Sequence, residues 1–486
     1  MAEKENELMQ KIISLCKRRG FIFPGSEIYG GLANSYDYGP LGVELKNNIK
    51  KLWWKMFVQE RDDMVGLDAS IIMNPKVWEV SGHVENFQDY SIECKKCNHR
   101  VRVDQYLTEE EVSYFSKTEK EAIKILNAGQ REKSIQIIDD LHSYIQKIFN
   151  DRIDCPNCEK RDWAKSGQFR LLMPVFLGAM QTGKESLHYL RPETAQAMFV
   201  DFKQVQETSR KKIPFGIAQI GKAFRNEITP GNYIFRTREF EQMEIEYFIK
   251  PPKNDSDWER YFDHWLEEMK KWIKAVGIDE KKIHYHDIPK DELAHYSKRT
   301  VDIEFEFPFG QKELYGLAYR TNFDLKAHGL GYKDPETGET FIPHVIEPSL
   351  GIERTALAVL ASAYAEVETR SGEEDAVHEK EIVLRLPKSL APIKVAILPL
   401  SKKEELTKPA YQIYRDLQKY FMCQYDETAS IGKRYRRQDE IGTPFCVTFD
   451  FDSVKDNAVT VRDRDTMKQE RIPIDKLLGH LHKELY

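Results

Sequence analysis

The chain has 486 residues, enough for about three domains, with 41% hydrophobic and 31% charged residues and a formal net charge of −6. The acidic balance argues against a general nucleic-acid coat protein, but it is compatible with a local basic patch on an enzyme. No apolar run approaches the about 18 residues of a membrane helix, and the chain starts with an amphipathic pattern instead of a signal peptide, so we expect a cytoplasmic protein with no membrane partner.

The first strong helix signal follows a stretch rich in glycine and aromatic side chains that begins at residue 24. Tyr38-Gly39-Pro40 has the composition of a helix start, because proline is favoured in the first helical turn. Apolar residues then recur at spacings of three and four up to about Val58. This spacing predicts an amphipathic helix.

Four of the seven cysteines form two CxxC pairs, Cys94 with Cys97 and Cys155 with Cys158. In a reducing compartment such pairs are more typical of a tetrahedral zinc site than of disulfides; reduced cysteines in tight turns are the alternative. The residues between the pairs, 98–154, are charged and poor in glycine, and their apolar stripe falls at Ile138, Leu141, Ile145 and Ile148. We therefore predict an inserted helical module with the cysteine pairs at its two stems.

From residue 168 to residue 351, strand-like runs predominate, separated by turns such as residues 229–232 or by a helix near residues 256–275. The runs are FRLLMPVFLGAM, PFGIAQIGKAFRNEI, FEQMEIEYFI and TVDIEFEFPF. Because these strands follow one another without strict β–α–β alternation, the pattern predicts an antiparallel α+β sheet.

The segment FRTREFEQMEIEYF, residues 235–248, is predicted to be a strand with one unusually polar face. Strand side chains alternate with a period of two, so one face carries Arg236, Arg238, Phe240, Gln242 and Glu244. The other face is expected to anchor the strand in the core through Met243, Ile245 and Tyr247.

A charged stretch, residues 367–380, precedes a second kind of pattern. After Pro387 and Pro392 come a buried-type strand in IKVAILPL, a helix over 408–422, and strands over 445–451 and 457–462. These elements predict a compact C-terminal α/β domain.

Three segments carry residue types suited to nucleotide chemistry. FRNE, a turn and FRTREF place Arg225, Glu227, Arg236 and Phe240 close together in a hairpin, which forms either a nucleotide pocket or a surface ion-pair ladder. In EPSLGIERTALAVL, Arg354 at a helix start opposes the helix dipole, so it binds a phosphate or base, or pairs with Glu353. In LRPETAQAMF, Glu193 suits a helix start, where capping is the simpler interpretation.

In this order, a proline-bearing segment before a long helix, an FRxE–loop–RxxxF hairpin and a GxER helix are similar to the three signature motifs of class II aminoacyl-tRNA synthetases. The amino-acid sequence resembles the homodimeric glycyl-tRNA synthetase family from about residue 8 to the C-terminus. The resemblance is weak only in the helical insertion. The matching segments are EIYGGLANSYDYGPLG, SGHVENFQDY, LRPETAQ, AQIGKAFRNEITPGN, FRTREFEQMEIEYF, LAHYSKRTVDIEFEFPFG, YGLAYRTNFDL, VIEPSLGIERT and VTVRDRDT.

The resemblance implies an α+β fold with an antiparallel sheet flanked by helices. It implies a first part of the catalytic domain with motif 1 (1–95), a helical insertion with CxxC stems (96–160), a catalytic part with motifs 2 and 3 (161–385) and an anticodon-binding α/β domain (386–486). In that last domain, the cluster Lys433, Arg434, Arg436 and Arg437 is either a nucleic-acid contact or a solvated helix end.

The implied activity is formation of glycyl-adenylate from glycine and ATP and transfer of glycine to the 3′ end of tRNA(Gly), by a homodimer that uses ATP and Mg²⁺. The implied catalytic residues are Arg225 and Arg354. A structural Zn²⁺ with the ligands Cys94, Cys97, Cys155 and Cys158 is predicted from the CxxC pairs and not from the resemblance. The implied ATP-binding residues are Arg225, Asn226, Glu227, Phe235, Arg236, Thr237, Arg238, Glu239, Phe240, Glu313, Leu314, Gly351, Ile352, Glu353 and Arg354. The implied glycine-binding residues are Arg102, Glu193, Phe240, Glu241, Gln242, Met243, Glu244, Glu347, Pro348, Ser349, Leu350 and Gly351.

Several of these residues receive roles from the resemblance. Arg225 would hold the α-phosphate, Glu227 would accept from the adenine amino group, and Phe240 and Arg354 would cover the two faces of adenine. Arg236 and Arg238 would meet the outer phosphates or the ATP-binding loop, and Glu313 would serve magnesium. Glu193, Glu347 and Ser349 would surround the glycine ammonium, with Arg320 orienting the acids. The substrate carboxylate is itself the nucleophile, so the enzyme contributes positioning and charge stabilisation.

There are two alternatives, one within the class II synthetases and one outside the enzymes. A histidyl, threonyl or prolyl enzyme would share the nucleotide pocket, but EPSLGIER and the acidic residues argue against it. A non-catalytic paralogue that binds nucleic acid would lose the ATP-contacting arginines, whereas Arg225, Arg236 and Arg354 are all present.

Overall fold

The computed structural model describes residues 2–104, 106–178, 186–227, 231–368 and 380–485. Two residues of the predicted turn, 229 and 230, lie outside this described part, as do the last two residues of FRLLMPVFLGAM and residues 369–379 of the charged stretch.

The N-terminal elements, in chain order, are α1 (Ala2–Arg19), β1 (Ile22–Pro24), β2 (Tyr36–Tyr38), α2 (Pro40–Trp54), β3 (Met64–Gly66), α3 (Pro75–Val80) and α4 (His83–Asn86). The elements around the cysteine pairs are β4 (Gln88–Glu93), β5 (Arg100–Arg102), α5 (Glu109–Asn127), α6 (Arg131–Arg152) and β6 (Gly167–Arg170).

The elements that follow are β7 (Met173–Phe176), β8 (Leu187–Leu190), α7 (Ala195–Val200), α8 (Phe202–Ser209), β9 (Phe215–Phe224), β10 (Glu239–Ile249), α9 (Asp255–Ala275), β11 (Ile283–Asp287), β12 (Arg299–Phe307), β13 (Gly310–Thr321), α10 (Phe323–Ala327), β14 (Tyr332–Lys333), β15 (Thr340–Phe341), β16 (His344–Gly351) and α11 (Ile352–Ala363). The C-terminal elements are β17 (Tyr364–Glu368), β18 (Lys380–Leu384), β19 (Val395–Pro399), α12 (Glu404–Leu417), β20 (Cys423–Tyr425), α13 (Ile431–Ile441), β21 (Phe445–Phe449), α14 (Ser453–Asp456), β22 (Ala458–Asp463), β23 (Gln469–Pro473) and α15 (Ile474–Leu485).

A seven-stranded sheet in the order β11-β12-β13-β16-β10-β9-β3 forms the centre of the molecule. All neighbouring strands in it are antiparallel except β3 and β9. The register places Glu244 of β10 opposite Gln219 of β9 and Ser349 of β16. The predicted antiparallel α+β sheet is thus confirmed, and the polar segment found in the sequence forms one of its inner strands, β10, between β16 and β9.

Helix α9 covers one face of this sheet because its apolar residues recur at spacings of three and four. A capping box between Asn254 and Asp257 fixes the start of the helix. Its buried side chains share one core with the apolar face of β10: Trp258, Phe262, Trp265, Met269 and Trp272 from the helix, and Met243, Ile245 and Tyr247 from the strand.

The segment around the cysteine pairs has its own core. Strands β5, β4 and β6 form a three-stranded sheet, and α5 packs against α6 beside it. In the predicted stripe Leu141 and Ile145 are buried, whereas Ile138 and Ile148 are half-buried. Phe149 and Trp163 complete the packing, with ring centroids 5.3 Å apart.

The C-terminal elements form a separate five-stranded sheet, β20-β19-β21-β22-β23, with its own apolar core. Strand β19 runs parallel to both of its neighbours, and the remaining pairs are antiparallel. This is the predicted compact α/β arrangement, although the first helix begins at Glu404 and ends at Leu417 instead of spanning 408–422.

Two predicted elements end differently in the structure. The amphipathic helix predicted to run from Pro40 to about Val58, α2, is α-helical only to Trp54 and continues as a π-helical turn over Lys55–Gln59. The predicted strand 235–248 begins only at Glu239, because a 3-10 turn over Tyr233–Phe235 redirects the chain before it. Within the described part of the chain, no helix is both long and apolar enough to cross a bilayer.

Candidate active site

A cavity of about 380 Å³ opens beside the N-terminal end of β10, between the β9–β10 hairpin, β16 and the start of α11. Leu171 and Ile234, which the sequence did not single out, contribute to its wall. The sequence-predicted site residues that line it are Arg102, Arg225, Glu227, Phe235, Arg236, Thr237, Phe240, Gln242, Glu313, Leu314, Ser349, Leu350, Gly351, Glu353 and Arg354. The structure therefore brings the hairpin and the helix-start motif to one cavity.

Arginines and aromatic rings form one end of the cavity, which we call the nucleotide end. The Arg225 guanidinium carbon lies 5.3 Å from the centre of the Phe240 ring, and its Nε donates to the carbonyl oxygen of Pro192 at 3.1 Å. Arg354 lies over Phe235 at 4.4 Å. These contacts leave flat cationic and aromatic surfaces beside one another, as phosphate and base recognition require.

The pairing of Arg354 differs from the simpler alternative drawn from the sequence. Its Nη1 donates to the carbonyl oxygen and to Oε2 of Glu313, both at 3.0 Å, and not to Glu353. Arg354 lowers the pKa of Glu313 below the ordinary glutamate range. Glu313 is therefore an ionised carboxylate at the edge of the cavity.

Gln242 and Ser349 line the opposite end of the cavity, and both contact the buried carboxylate of Glu244 behind them; we call this group the acidic end. Ser349 Oγ and Gln242 Nε2 each donate to Glu244 Oε1 at 2.7 Å. The Thr194 hydroxyl donates to the other oxygen, Oε2, and so does the Thr194 backbone nitrogen at 3.2 Å. Burial, and then the charge of Glu193, raise the pKa of Glu244.

Glu193 lies next to this carboxylate, immediately before α7. His83 Nε2 is 3.4 Å from Glu193 Oε2, and Gln196 Nε2 donates to Oε1 at 3.3 Å. Burial acts against ionisation, but His83, Arg320 and Arg225 together hold the pKa of Glu193 below its ordinary range. Glu193 is therefore more than a helix-capping residue.

Arg320 of β13 holds a third carboxylate of the acidic end, that of Glu347. Its Nη1 donates to both oxygens of Glu347, at 2.9 and 3.0 Å, and its other two nitrogens donate to Asp324 at 2.9 and 3.0 Å. Tyr296 covers the guanidinium at 3.9 Å. Burial raises the pKa of Glu347, and the charge of Glu244 adds to this effect, whereas Arg320 opposes it.

Strand alternation separates some predicted glycine-binding residues from this end. Met243 and Leu350 lie opposite each other in the register and pack in the core, on the face away from Glu244 and Ser349. Pro348 is displaced to that face by the same alternation. Glu241 also points there, and its carboxylate contacts two lysines of α2. These four side chains thus lie on the other strand face from Glu244, although Leu350 still lines the cavity, and their place in a glycine pocket stays a prediction.

Not all of the predicted ATP-binding side chains point into the cavity. Ile352 is buried in the core, and Glu353 lines the cavity but pairs its carboxylate with Lys46. Arg238 precedes the strand and donates to Ala33 and Glu227 carbonyls at 3.4 Å, beside a neighbouring cavity. Glu239 is exposed and paired with Lys222.

Asn226 is tied into the fold through its backbone, whose nitrogen donates to the Leu171 carbonyl at 2.8 Å. Arg236, which lines the cavity, lies 4.0 Å from Glu227 Oε2. Gly351 ends β16 and immediately precedes α11.

Sequence reasoning missed several residues of the acidic end. Thr194 and His83 contact the two central carboxylates, and Asp324 holds Arg320. Glu246, two residues beyond Glu244 on the same strand face, is fully buried, and burial raises its pKa well above the ordinary range. The only available signal was the run of alternate acids in EQMEIEYF, since the other contacts join distant parts of the chain.

The four cysteine sulfurs form a compact cluster apart from the cavity. Cys94 and Cys158 sulfurs are 3.6 Å apart, as are those of Cys97 and Cys155, and all four lie within 4.8 Å of one another. A tetrahedral ion with bonds of about 2.3 Å separates its sulfur ligands by about 3.8 Å. The cluster therefore fits a Cys₄ zinc site.

The two cysteine turns are alike. The backbone nitrogen of Asn98 donates to the carbonyl oxygen of Cys94, and that of Glu159 donates to the carbonyl oxygen of Cys155, each at 2.8 Å. Asn98 and Glu159 both adopt the left-handed conformation, with φ of 59° and 58°. The same turn built twice around four thiols favours a metal site over unrelated reduced cysteines.

The predicted basic cluster of the C-terminal part is largely used within the fold. Arg434 is buried and donates to the carbonyls of Pro399, Asp426 and Leu400. Arg436 pairs with Glu381, and Arg437 with Asp426. Lys433 is exposed. The interpretation of Arg434 as a nucleic-acid contact is wrong, because its guanidinium supports the start of α13.

Two family models match the chain. The tRNA synthetase class II core domain (G, H, P, S and T) matches residues 179–363, and the anticodon binding domain matches residues 394–484. Among solved structures, prolyl-tRNA synthetase from Cryptosporidium parvum complexed with halofuginone and AMPPNP superposes with a TM-score of 0.60 at 14% identity, covering 98% of this chain and 74% of that chain. At this identity the likeness shows the fold alone.

Curated proteins are far more similar in sequence. Glycine–tRNA ligase from Geobacillus thermodenitrificans is 51% identical over 486 residues, which cover 98% of this chain and 97% of that protein. Glycine–tRNA ligase from Acetivibrio thermocellus is 52% identical over 478 residues, which cover 97% of both chains. Since about half of its residues are identical to theirs over nearly its whole length, the chain belongs to the glycine–tRNA ligase family of class II aminoacyl-tRNA synthetases.

Proposed function

We propose that this chain activates glycine with ATP to glycyl-adenylate and transfers glycine to the 3′ end of tRNA(Gly). One observation carries the proposal: arginines and rings line a single cavity along β10, and at its other end Gln242 and Ser349 join that cavity to a buried group of carboxylates. The first surface suits a nucleotide, and the second suits a small cation such as the ammonium of glycine.

At the nucleotide end, Arg225 binds the α-phosphate and Arg236 the outer phosphates. Phe240 stacks on one face of adenine and Arg354 covers the other, while Glu227 accepts from the adenine amino group. Support comes from the cavity, which these five residues all line. Guanidinium groups match phosphate oxygens in geometry, and ring faces accept any base.

At the acidic end, the ammonium of glycine is held by Glu193, Glu244 and Glu347, with Ser349 beside them. The hydrogen bonds from Thr194, Ser349 and Arg320 fix these carboxylates before the substrate arrives. Such preorganisation lowers the cost of binding a ligand with few atoms. Arg102, which also lines the cavity, is placed to meet the substrate carboxylate.

The reaction needs no protein nucleophile. A carboxylate oxygen of glycine attacks the α-phosphorus of ATP, a P–O bond forms, and the bond to diphosphate breaks. In the second step the terminal ribose hydroxyl of tRNA attacks the glycyl carbonyl, and AMP leaves with the electron pair of the broken C–O bond. Arg225 stabilises the charge that develops on the α-phosphate, and the fixed carboxylates orient the attacking glycine.

Glu313 fits a role in binding Mg²⁺, which is usually held by one or two carboxylates together with substrate phosphates. Its carboxylate is ionised and lies at the nucleotide end, fixed by Arg354. When bound with ATP, Mg²⁺ neutralises phosphate charge and orients the diphosphate leaving group.

ATP–diphosphate exchange with individual amino acids tests this function. We expect exchange with glycine, and at most a trace with alanine, proline, histidine or threonine. Proline, histidine or threonine supporting exchange as well as glycine does would assign the chain to another specificity. A folded protein that supports no exchange with any amino acid would favour the non-catalytic alternative.

We also infer that the cysteine cluster holds a structural zinc ion. Purified protein should contain about one equivalent of zinc, lost in Cys155→Ser and kept in the control Cys423→Ser, whose cysteine lies outside the cluster. Metal-free protein with full activity and unchanged thermal stability would contradict a structural zinc.

The remaining inferences concern assembly and organisation. Ile28 and Tyr29 are 88% and 87% exposed and, with Leu32, form an apolar patch that supports a homodimer interface. Light scattering should give twice the chain mass, and Tyr29→Asp should weaken the dimer.

We infer the domain division 1–95, 96–160, 161–385 and 386–486. The last domain is inferred to bind the anticodon of tRNA(Gly), and the enzyme is inferred to be cytoplasmic.

A further inference from the structure

Behind the nucleotide end, Lys46 of α2 is buried between two carboxylates. Its Nζ lies 2.8 Å from Glu353 Oε1 and 2.6 Å from Glu241 Oε2. The same ammonium is 4.1 Å from the centre of the Tyr38 ring. A buried lysine with two carboxylates and a ring around it is held in one position.

Glu353 continues this contact into the sheet. Its second oxygen, Oε2, accepts a hydrogen bond from the backbone nitrogen of Glu241 at 2.9 Å. One carboxylate thus joins the start of α11 to the start of β10, and Lys46 neutralises it from the other side. Lys50, one turn further along α2, adds a contact of 3.2 Å to Glu241 Oε1.

The positions of these acids in the chain give the contact a consequence for ATP. Glu241 directly follows Phe240, and Glu353 directly precedes Arg354. Phe240 and Arg354 are the two side chains proposed to lie on the two faces of adenine. A fixed bond between their neighbours therefore fixes the separation of the two walls of the base site.

We propose that Lys46 is a positioning residue for ATP, which sets the gap between Phe240 and Arg354 by holding Glu241 and Glu353 together. This inference rests on the proposed nucleotide site. Lys46 acts from behind that site, where it borders the neighbouring cavity. Lys46 and Glu241 are ionised: burial opposes this, but the charges of Glu353 and Glu241 raise the pKa of Lys46, and those of Lys46 and Lys50 lower the pKa of Glu241.

The acidic end of the cavity is built from other contacts, which gives the proposal a selective readout. Glu244 and Glu193 are held by Thr194, Ser349 and His83, and not by α2. Loss of Lys46 should therefore weaken the binding of ATP and leave the binding of glycine nearly unchanged. A purely structural ion pair would change thermal stability and neither Michaelis constant.

The test compares Lys46→Met with Lys51→Met by glycine-dependent ATP–diphosphate exchange. Lys51 is an exposed lysine of the same helix, and its variant should match the wild type. Lys46→Met keeps an unbranched side chain, shorter by one heavy atom, and removes its charge. We expect the KM for ATP to rise about tenfold or more and the KM for glycine to change less than about twofold, since small misplacements of binding groups have large kinetic effects. Lys46→Arg should restore part of the loss.

Glu241→Gln is the second variant. Glutamine has the same shape as glutamate, so this variant keeps the proposal testable if Lys46→Met does not fold. It should also raise the KM for ATP and not that for glycine. Unchanged KM for ATP in the folded variants, or equal increases for both substrates, would overturn the positioning role. If the wild type supports no glycine-dependent exchange, the proposed function itself is wrong. If the wild type is active and the variants have the same KM for ATP as the wild type, only the role of Lys46 is wrong.

Discussion

The two ends of the cavity are built in different ways. At the acidic end, the carboxylates of Glu244 and Glu347 are almost fully buried; Thr194, Gln242 and Ser349 hold the first, and Arg320 holds the second through both of its oxygens. At the nucleotide end, the side chains of Arg236 and Arg354 keep about a quarter of their surface exposed, at 26% and 25%. A substrate with few atoms needs a preassembled site, whereas a large polyanion brings enough contacts to order exposed arginines itself.

The largest expected effect is at the junction of the two ends. Arg225→Ala should lower kcat for exchange by about 10²–10³, because a preorganised donor to the reacting phosphate is lost. The change should appear in kcat more than in either KM. Arg260→Ala, on the exposed side of α9, provides the control. A loss confined to the KM for glycine would place Arg225 with the acidic end instead.

The next prediction separates the two faces of β10. Ile245 is fully buried, so Ile245→Asp should reduce the free energy of unfolding by at least about 3 kcal/mol, because it places a charge in the core. Arg236→Ala should leave that free energy almost unchanged and lower kcat/KM for ATP about tenfold. Urea denaturation and exchange kinetics measure the two effects. If both variants unfold, the two-faced description of the strand is wrong.

Glu244→Gln tests the acidic end alone. It keeps the shape of the side chain but removes the charge opposite the ammonium, which should cost about 2–3 kcal/mol, or about 100-fold in kcat/KM for glycine. The KM for ATP should change little. Glu267→Gln, whose acid pairs with Lys270 on the surface, is the matched control. A parallel increase in the KM for ATP would show that the two ends are not separable.

The smallest expected effect is a pH dependence of the acidic end. Burial raises the pKa of Glu244, and it raises the pKa of Glu347 to about 8, so Glu347 gains its charge as pH rises toward that value. Bound ammonium requires the ionised form, so the KM for glycine should fall as pH rises from about 6 to about 8, by about tenfold at most. The KM for ATP should vary less, and a glycine KM that rises over this range would contradict the assignment.

The sequence predicted the fold and most of the cavity because both depend on local pattern. The period of two in β10 separated Ile245 from Glu244, and the periodicity of α9 predicted its buried face. The hairpin pattern placed Arg225 near Phe240, and the family resemblance added Arg354; all three line the cavity.

The pairing of charges could not be predicted in the same way. Glu241 and Glu353 resemble ligand-binding residues in the sequence, but they are bound to Lys46, which is 307 residues away from Glu353 in the chain. Thr194 likewise reaches Glu244 across 50 residues. Arg434 appeared basic and exposed by composition, but three carbonyls at the end of β19 and in a nearby loop take up its donors. Such contacts depend on tertiary packing, for which local spacing gives no signal.

The most direct test is a crystal structure of the enzyme with a non-hydrolysable glycyl-adenylate analogue. The account predicts adenine between Phe240 and Arg354, the phosphate mimic at Arg225, and the ammonium among Glu193, Glu244 and Glu347. An analogue bound with its ammonium away from these three carboxylates, or with adenine outside the cavity, would contradict the proposal that β10 carries both substrates.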